Sequence, residues 1–423
     1  MKFRNYQSEI IDKAFDVLVK YGFVYLSMQV RTGKTLTAMG TAQKLGVDNM
    51  LFVTKKKAIS SIEDDYKLLS PKFHLTVINY ESLHKVAGKY ECIVLDEAHG
   101  MGAYPKPSKR TKMINQIIKK QNPFVILMSG TPTPESFSQM YHQVYACPHN
   151  PFRNYTNFYK FAKHYVNVVQ IRIGAMPHNN YSSGRQSILD QMKPYMISYT
   201  QKEAGFKVET IEKVLKVKMS DLTYNMVKQL KKNLVIEGTD EVVLADTGVK
   251  LMSKLHQLFS GTVKFESGKA TVIDLSKAKF IRTQFKNQKI GIFYKFKAEY
   301  DALKEVYGDD LTDDLKEFKT TDKNIALQVV SGREGISLKE ADCLVNYNID
   351  FSALSYWQSR DRMTTKDSIQ NDVYWIFSEK GIEEKIYRAV TKKKDYTLKH
   401  FEKDSGVGVP DIKITNGFRF LII

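Results

Sequence analysis

The sequence predicts an α/β fold built as two tandem blocks, each a parallel sheet covered by helices, with helical insertions. Three observations carry this. Apolar runs of four or five residues alternate with stretches of helical periodicity, and that alternation occurs twice along the chain. In the first series, polar clusters follow the apolar runs at the strand ends where functional loops of such sheets collect.

Taken in order, the opening segment places Ile10, Ile11, Ala14, Phe15 and Leu18 on one helical face. Val24, Tyr25 and Leu26 form a short buried strand, and residues 36–45 carry helical spacing. Strands are expected at 50–53, 75–78, 92–95 and 124–128, with a helix over 58–69. From 134 to 198 the chain reads as a helical, aromatic arm, where Tyr155, Phe158, Tyr159, Phe161 and Tyr165 are expected to pack a helix into a core rather than stack on bases. Residues 200–206 connect to a second block that opens with Val214–Lys218 and continues with helices over 222–234 and 247–259. Its strands are expected at 290–293, 325–330, 343–347 and 373–377, and the acidic stretch 308–317 is read as a solvated surface turn. The domain reading is therefore 1–199, with its arm at about 134–198, and 200–423, with a helical insertion at about 220–262.

At 423 residues the chain can bury two real cores. Sixty-four Lys and Arg against 46 Asp and Glu give a net charge of +18, which favours a polyanionic partner. Three scattered cysteines fit neither a disulfide framework nor a zinc site, and the two in apolar strand-like runs read as reduced core thiols. No signal-peptide pattern and no membrane-length apolar run is present, so the expected setting is a reducing cytoplasm and no membrane partner.

The chemistry centres on Met28-Gln29-Val30-Arg31-Thr32-Gly33-Lys34-Thr35, between a strand and a helix. Such a turn offers backbone N–H groups and a helix N-terminus to a polyphosphate. Lys34 would reach the β- and γ-phosphates and Thr35 would ligate Mg²⁺, with Arg31, Thr32 and Gly33 completing the loop. The phosphate-loop pattern places Gly where Met28 stands. Asp96-Glu97-Ala98-His99 follows a later apolar run, so Asp96 can hold Mg²⁺ at a strand end and Glu97 can polarise an attacking water. Acids decorating a helix N-terminus are the plainer alternative.

The order Gly-Lys-Thr, Asp-Glu-Ala-His, Ser-Gly-Thr-Pro resembles superfamily 2 helicases and translocases of the DEAD/DEAH-box kind, and within them the Swi/Snf-type branch as found in phages and bacteria. That resemblance spans nearly the whole chain and implies two RecA-like domains with ATP between them. It implies that Gln7, in Arg4-Asn5-Tyr6-Gln7, reads adenine, and that His99, Ser129, Gly130 and Thr131 couple hydrolysis to domain movement. Gly335, in Gly332–Leu338, would touch nucleotide and strand; Gln358 and Arg362, in Tyr356–Arg362, would belong to the arginine-finger motif. The motif's second arginine falls here at Thr365, leaving Arg360 and Arg362 as rival fingers.

The activity implied by the resemblance is that of a Mg-ATP-dependent DNA motor, an ATP-hydrolysing helicase-translocase tracking duplex DNA as a monomer in a bacterial or phage-infected cell. Remodelling, unwinding and a single-stranded track stay open, as do replication or recombination partners. A nucleotide-gated DNA-binding switch with weak hydrolysis is the reading from another class, and RNA is a disfavoured substrate. Thr54, Lys55, Lys56 and Lys57, after a strand, and Ser82 are the expected nucleic-acid contacts, made to phosphate rather than to bases.

Overall fold

The computed structural model describes residues 2–173, 176–205, 209–238, 240–329, 338–360, 370–392 and 404. The chain divides into two compact units, the first built mainly on residues up to Ile211 and the second beginning at Glu212.

In the first unit, helix α1 (Asn5–Tyr21) leads into strand β1 (Phe23–Met28) and helix α2 (Lys34–Leu45). Gly22 ends α1 in the left-handed region at φ 75°, where a Cβ would come within 2.8 Å of Pro148. Strand β2 (Asn49–Thr54), helix α3 (Ile59–Leu69), β3 (His74–Asn79), β4 (Cys92–Leu95), helix α4 (Lys109–Gln121) and β5 (Phe124–Met128) follow. The arm contributes α5 (Met140–Val144), α6 (Phe158–Tyr165), a hairpin β6 (Val169–Ile173) and β7 (Met176–Asn180), then α7 (Ser187–Met192) and β8 (Met196–Tyr199). The sheet runs β3-β2-β4-β5-β1-β8, every neighbouring pair parallel. One strand, β5, therefore stands between the loop-bearing β1 and the acid-bearing β4.

Alternation along each strand explains why the runs are continuously apolar. Phe23, Tyr25, Leu51, Val53, Ile93, Leu95, Val125 and Leu127 face one core, shared with α4 and the arm. Val24, Leu26, Met28, Met50, Phe52, Cys92, Val94 and Ile126 face the other, shared with α1, α2 and α3. Both faces are covered, so successive residues are both buried.

The second unit opens with β9 (Glu209–Val217), α8 (Asp221–Asn233), the hairpin β10 (Val235–Glu237) and β11 (Val242–Leu244), and α9 (Gly248–Phe259). A second hairpin, β12 (Thr262–Lys264) and β13 (Ala270–Val272), precedes α10 (Ser276–Gln284), β14 (Ile290–Tyr294), α11 (Lys297–Tyr307), β15 (Leu311–Thr312), α12 (Leu315–Thr320) and β16 (Asn324–Gln328). Then come β17 (Cys343–Asn346), β18 (Gln370–Ser378) and a helix Glu383–Val390, while the helix Ala353–Arg360 between β17 and β18 is counted with the first unit. The sheet order is β15-β16-β14-β17-β18-β9, parallel from β15 to β18.

Three expectations need correction. The arm is not wholly helical: β6 and β7 pair as an antiparallel hairpin, and β8 joins the main sheet beside β1. The acidic stretch 308–317 is not all surface turn, because Leu311 and Thr312 are buried as an edge strand and Leu315 begins a helix. The block between α8 and α10 carries two hairpins as well as helices. The arm's aromatics do pack together, with Phe158 and Phe161 buried against each other, Phe161 stacked on Tyr165 and meeting Tyr141 and Tyr155 at steeper angles, while Tyr159 is 46% exposed. Cys92, Cys147 and Cys343 are buried thiols not joined in disulfides. Among the described residues, no helix is long and apolar enough to cross a membrane.

Candidate active site

The phosphate-loop candidate turns sharply because Arg31 at φ 62° and Gly33 at φ 78° both take left-handed backbone. Gly33 begins α2, and no side chain caps that helix, so its first N–H groups stay available to an anion. Met28 takes the place of the pattern's first glycine without obstructing the loop. Its side chain is fully buried in the core, and its carbonyl accepts a hydrogen bond from Lys34 Nζ at 3.1 Å. Thr32, also fully buried, donates its hydroxyl to Gln29 O at 2.8 Å. Thr35 is half-buried in the first turn of α2.

Two neighbours brace the loop from outside. Tyr6 donates to Thr32 O at 3.1 Å and stacks on Tyr199 with ring centroids 4.8 Å apart. Gln201, just past β8, donates its side-chain amide to Val30 O at 3.0 Å and its backbone N–H to Gln29 Oε1 at 2.7 Å. Gln7 lies against the loop, but its amide is engaged: Oε1 accepts from Arg4 N at 3.0 Å and Nε2 donates to Gly33 O at 3.3 Å. In this structure Gln7 supports the loop.

At the end of β4, Asp96 takes its backbone N–H to Val53 O, and one carboxylate oxygen accepts from Thr54 at 2.8 Å. Thr54 is fully buried, and its hydroxyl orients Asp96. Tyr80 donates to Asp96 O at 2.6 Å; burial first, and the Asp96 charge next, push its phenol well above the ordinary range, so it stays a neutral donor.

Glu97 sits at φ 49°, a region side chains seldom adopt and one that recurs at functional sites. Burial alone would raise its carboxyl; the His99 hydrogen bond and the charges of Lys34 and Lys55 outweigh that and hold it down to about 2. Glu97 is therefore an ionised acceptor whose charge is favoured by the phosphate-loop lysine. His99 Nδ1 lies 3.2 Å from Glu97 and 2.9 Å from Ser129 Oγ, and Ser129 also accepts the Thr131 N–H at 3.1 Å. At Gly130 a Cβ would stand 3.4 Å from Met28 O and 3.7 Å from Lys34 Nζ, so this residue borders the loop. The structure thus gathers Gly33, Lys34, Glu97, His99, Ser129, Gly130 and Thr131 within the first unit.

Among the described residues no group of three or more His, Cys, Asp and Glu could hold a metal by itself. A Mg²⁺ site of one carboxylate and one hydroxyl, filled out by phosphate and water, fits the donors Asp96 and Thr35. Lys55 is half-buried and acts on Glu97, Lys56 is exposed, and Ser82 is half-buried in the 3₁₀ turn Tyr80–Lys85. The Lys57 side chain, Gly335, Arg362 and the side chains of Gln358 and Arg360 lie outside the described residues.

The sequence reading missed Tyr25 and Gln143. Tyr25 Oη donates to Gln143 Oε1 at 2.7 Å, and Gln143 Nε2 donates to Pro132 O at 2.8 Å and Gln139 O at 3.2 Å. A tyrosine inside a fully buried strand was the available signal, because its hydroxyl must find a partner there.

A family model described as the SNF2-related domain matches residues 32–275 of this chain. Two solved structures are similar to it. One is the Sulfolobus solfataricus SWI2/SNF2 ATPase core in complex with dsDNA, at 15% identity and TM-score 0.40, covering 96% of this chain and 94% of that one. The other is the Sulfolobus solfataricus SWI2/SNF2 ATPase core domain, at 14% identity and TM-score 0.41, covering 93% and 89%. A search of curated proteins gives no match.

Proposed function

The chain belongs to the SNF2-related domain family, and on that premise we propose that it is a Mg-ATP-dependent motor that translocates on double-stranded DNA. One observation supports this most: Lys34 at the head of α2 and the ionised Glu97 after β4 act on each other, with Gly130 bordering the lysine. An ammonium for the phosphates and a carboxylate held ready to accept are the two groups that γ-phosphate hydrolysis by water requires.

In this reading Lys34 and the open N–H groups of α2 bind the β- and γ-phosphates, and Arg31 and Thr32 shape the turn. Thr35 and Asp96 would hold Mg²⁺, which when bound neutralises phosphate charge. Glu97 orients water and takes its proton. Gln7 would meet adenine by exchanging its bond to Gly33. Gly335, Gln358 and Arg362 enter by resemblance alone, with Arg362 as the finger. The excess of 64 basic over 46 acidic residues suits a polyanionic track, with Lys55, Lys56, Lys57 and Ser82 as first candidates to meet phosphate.

The test is ATP hydrolysis by the purified chain with duplex DNA, single-stranded DNA and RNA side by side. Duplex DNA should stimulate most and RNA least. Equal rates with and without any nucleic acid would remove the motor reading.

A further inference from the structure

The hydrogen bonds around Glu97 do not stop at the Ser-Gly-Thr-Pro loop, and their donors and acceptors can be assigned from the ends inward. A carboxylate only accepts, so His99 Nδ1, 3.2 Å from Glu97 Oε2, carries the proton. The same N–H faces Ser129 Oγ at 2.9 Å, and the Thr131 N–H points at that oxygen too. Ser129 Oγ thus receives two N–H donors and has its own hydrogen to give elsewhere.

At the other end, Gln143 Nε2 is fixed as the amine by two carbonyls, Pro132 O and Gln139 O, leaving Oε1 to accept from Tyr25. Tyr25 thereby fixes the orientation of the Gln143 amide. Tyr25 and Ser129 are fully buried, Gln143 is 2% exposed and His99 7% exposed, so water cannot substitute for a missing partner. Gln143 also donates to Pro132 O, three residues after Ser129, so the loop that holds Ser129 is tied directly to α5.

We propose that Tyr25 and Gln143 are positioning residues for Glu97, acting through Ser129 and His99, and that this chain makes hydrolysis depend on the seating of arm helix α5. Tyr25 comes from the strand that carries the phosphate loop, and Gln143 from α5. A displacement of α5 would therefore be felt at the carboxylate without any change in the phosphate loop. This rests on the reading of Glu97 as the group that activates water.

The experiment uses the full chain and compares Tyr25→Phe, Gln143→Met, Ser129→Ala and the Tyr25→Phe/Ser129→Ala double variant. DNA-stimulated kcat and KM for ATP are measured beside Glu97→Gln. Tyr25→Phe and Gln143→Met should each lower kcat about tenfold, the size of one buried hydrogen bond felt in the transition state, with KM for ATP unchanged. The double variant should be no slower than the slower single, because residues in one network do not add. A kcat within twofold of wild type for both Tyr25→Phe and Gln143→Met, or effects that multiply in the double variant, would overturn the proposal. If Tyr25→Phe fails to fold, Gln143→Met carries the same test. Wild-type turnover in Glu97→Gln would instead overturn the functional reading, an outcome distinct from an inert Glu97→Gln beside a fully active Tyr25→Phe.

Discussion

Thr54 donates its hydroxyl to an Asp96 carboxylate oxygen at 2.8 Å, joining residues 42 positions apart in the chain. They meet because β2 and β4 are parallel neighbours in register, Val53 opposite Leu95, so both residues emerge together at the strand ends. Replacing Thr54 with Val keeps the shape and leaves that oxygen without its donor. The expected result is a rise of about 10-fold or more in the Mg²⁺ needed for half-maximal ATP hydrolysis, as for other partners that orient a metal ligand. DNA affinity should not move. An unchanged Mg²⁺ titration with weakened DNA binding would return Thr54 to the nucleic-acid contacts.

Glu97 and Lys34 should separate in a hydrolysis assay. Glu97→Gln preserves size but cannot take a proton, so multiple-turnover hydrolysis should vanish while ATP still binds. Lys34→Ala removes a phosphate contact present before and during reaction, so affinity and turnover should both fall. Hydrolysis by Glu97→Gln near the wild-type rate would deny it the water-activating role.

These two pairs show what was legible in the sequence. Gly33-Lys34-Thr35 and Asp96-Glu97-Ala98-His99 are local, and each follows an apolar run whose burial on both faces leaves no ambiguity about the strand. Thr54 and Asp96, or Tyr25 and Gln143, become neighbours only through strand order, which periodicity does not encode. β8, with four residues, and β15, with two, are too short to show a period, and β15 is flanked by Asp309, Asp310, Asp313 and Asp314, which read as solvent. β6 was obscured for a different reason: Val169-Gln170-Ile171-Arg172-Ile173 alternates as a strand does, but it follows a helix dense in aromatics.

The lysines after β2 should not behave alike. Lys56 is exposed, whereas Lys55 is half-buried and lowers the Glu97 carboxyl through its charge. Binding to DNA should weaken steeply with salt, and Lys56→Ala should reduce the slope of log affinity against log salt by about 1, as loss of one phosphate contact demands. Lys55→Ala should also slow hydrolysis. A slope unchanged in the Lys55, Lys56 and Lys57 triple variant would mean that these lysines are merely solvated.

The second unit offers a test of its own, at Asp274. This carboxylate is 6% exposed and ties the starts of α8 and α10: Oδ2 accepts from Ser220 N and Thr223 Oγ1, both at 2.7 Å, and Oδ1 accepts from Ser276 N at 2.9 Å. Ser220 is itself the N-cap of α8, so Asp274 fixes the start of that helix. Burial pushes the carboxyl up, but the hydrogen bonds from Ser276, Ser220 and Thr223 together hold it below its ordinary value of 3.8. A carboxyl lowered by folding adds stability above its unfolded value, and that stability is lost as pH falls through the folded value. Asp274→Asn keeps the volume but replaces one acceptor oxygen with a donor, so at pH 7 the second unit should lose about 1–3 kcal/mol, the worth of a charged buried hydrogen bond. In thermal melts the gap between wild type and Asp274→Asn should be constant from neutral pH down to about pH 5 and narrow once the pH drops below 3.8. A gap equally wide at pH 3 and pH 7 would show that the carboxylate's charge contributes nothing and that only its shape matters.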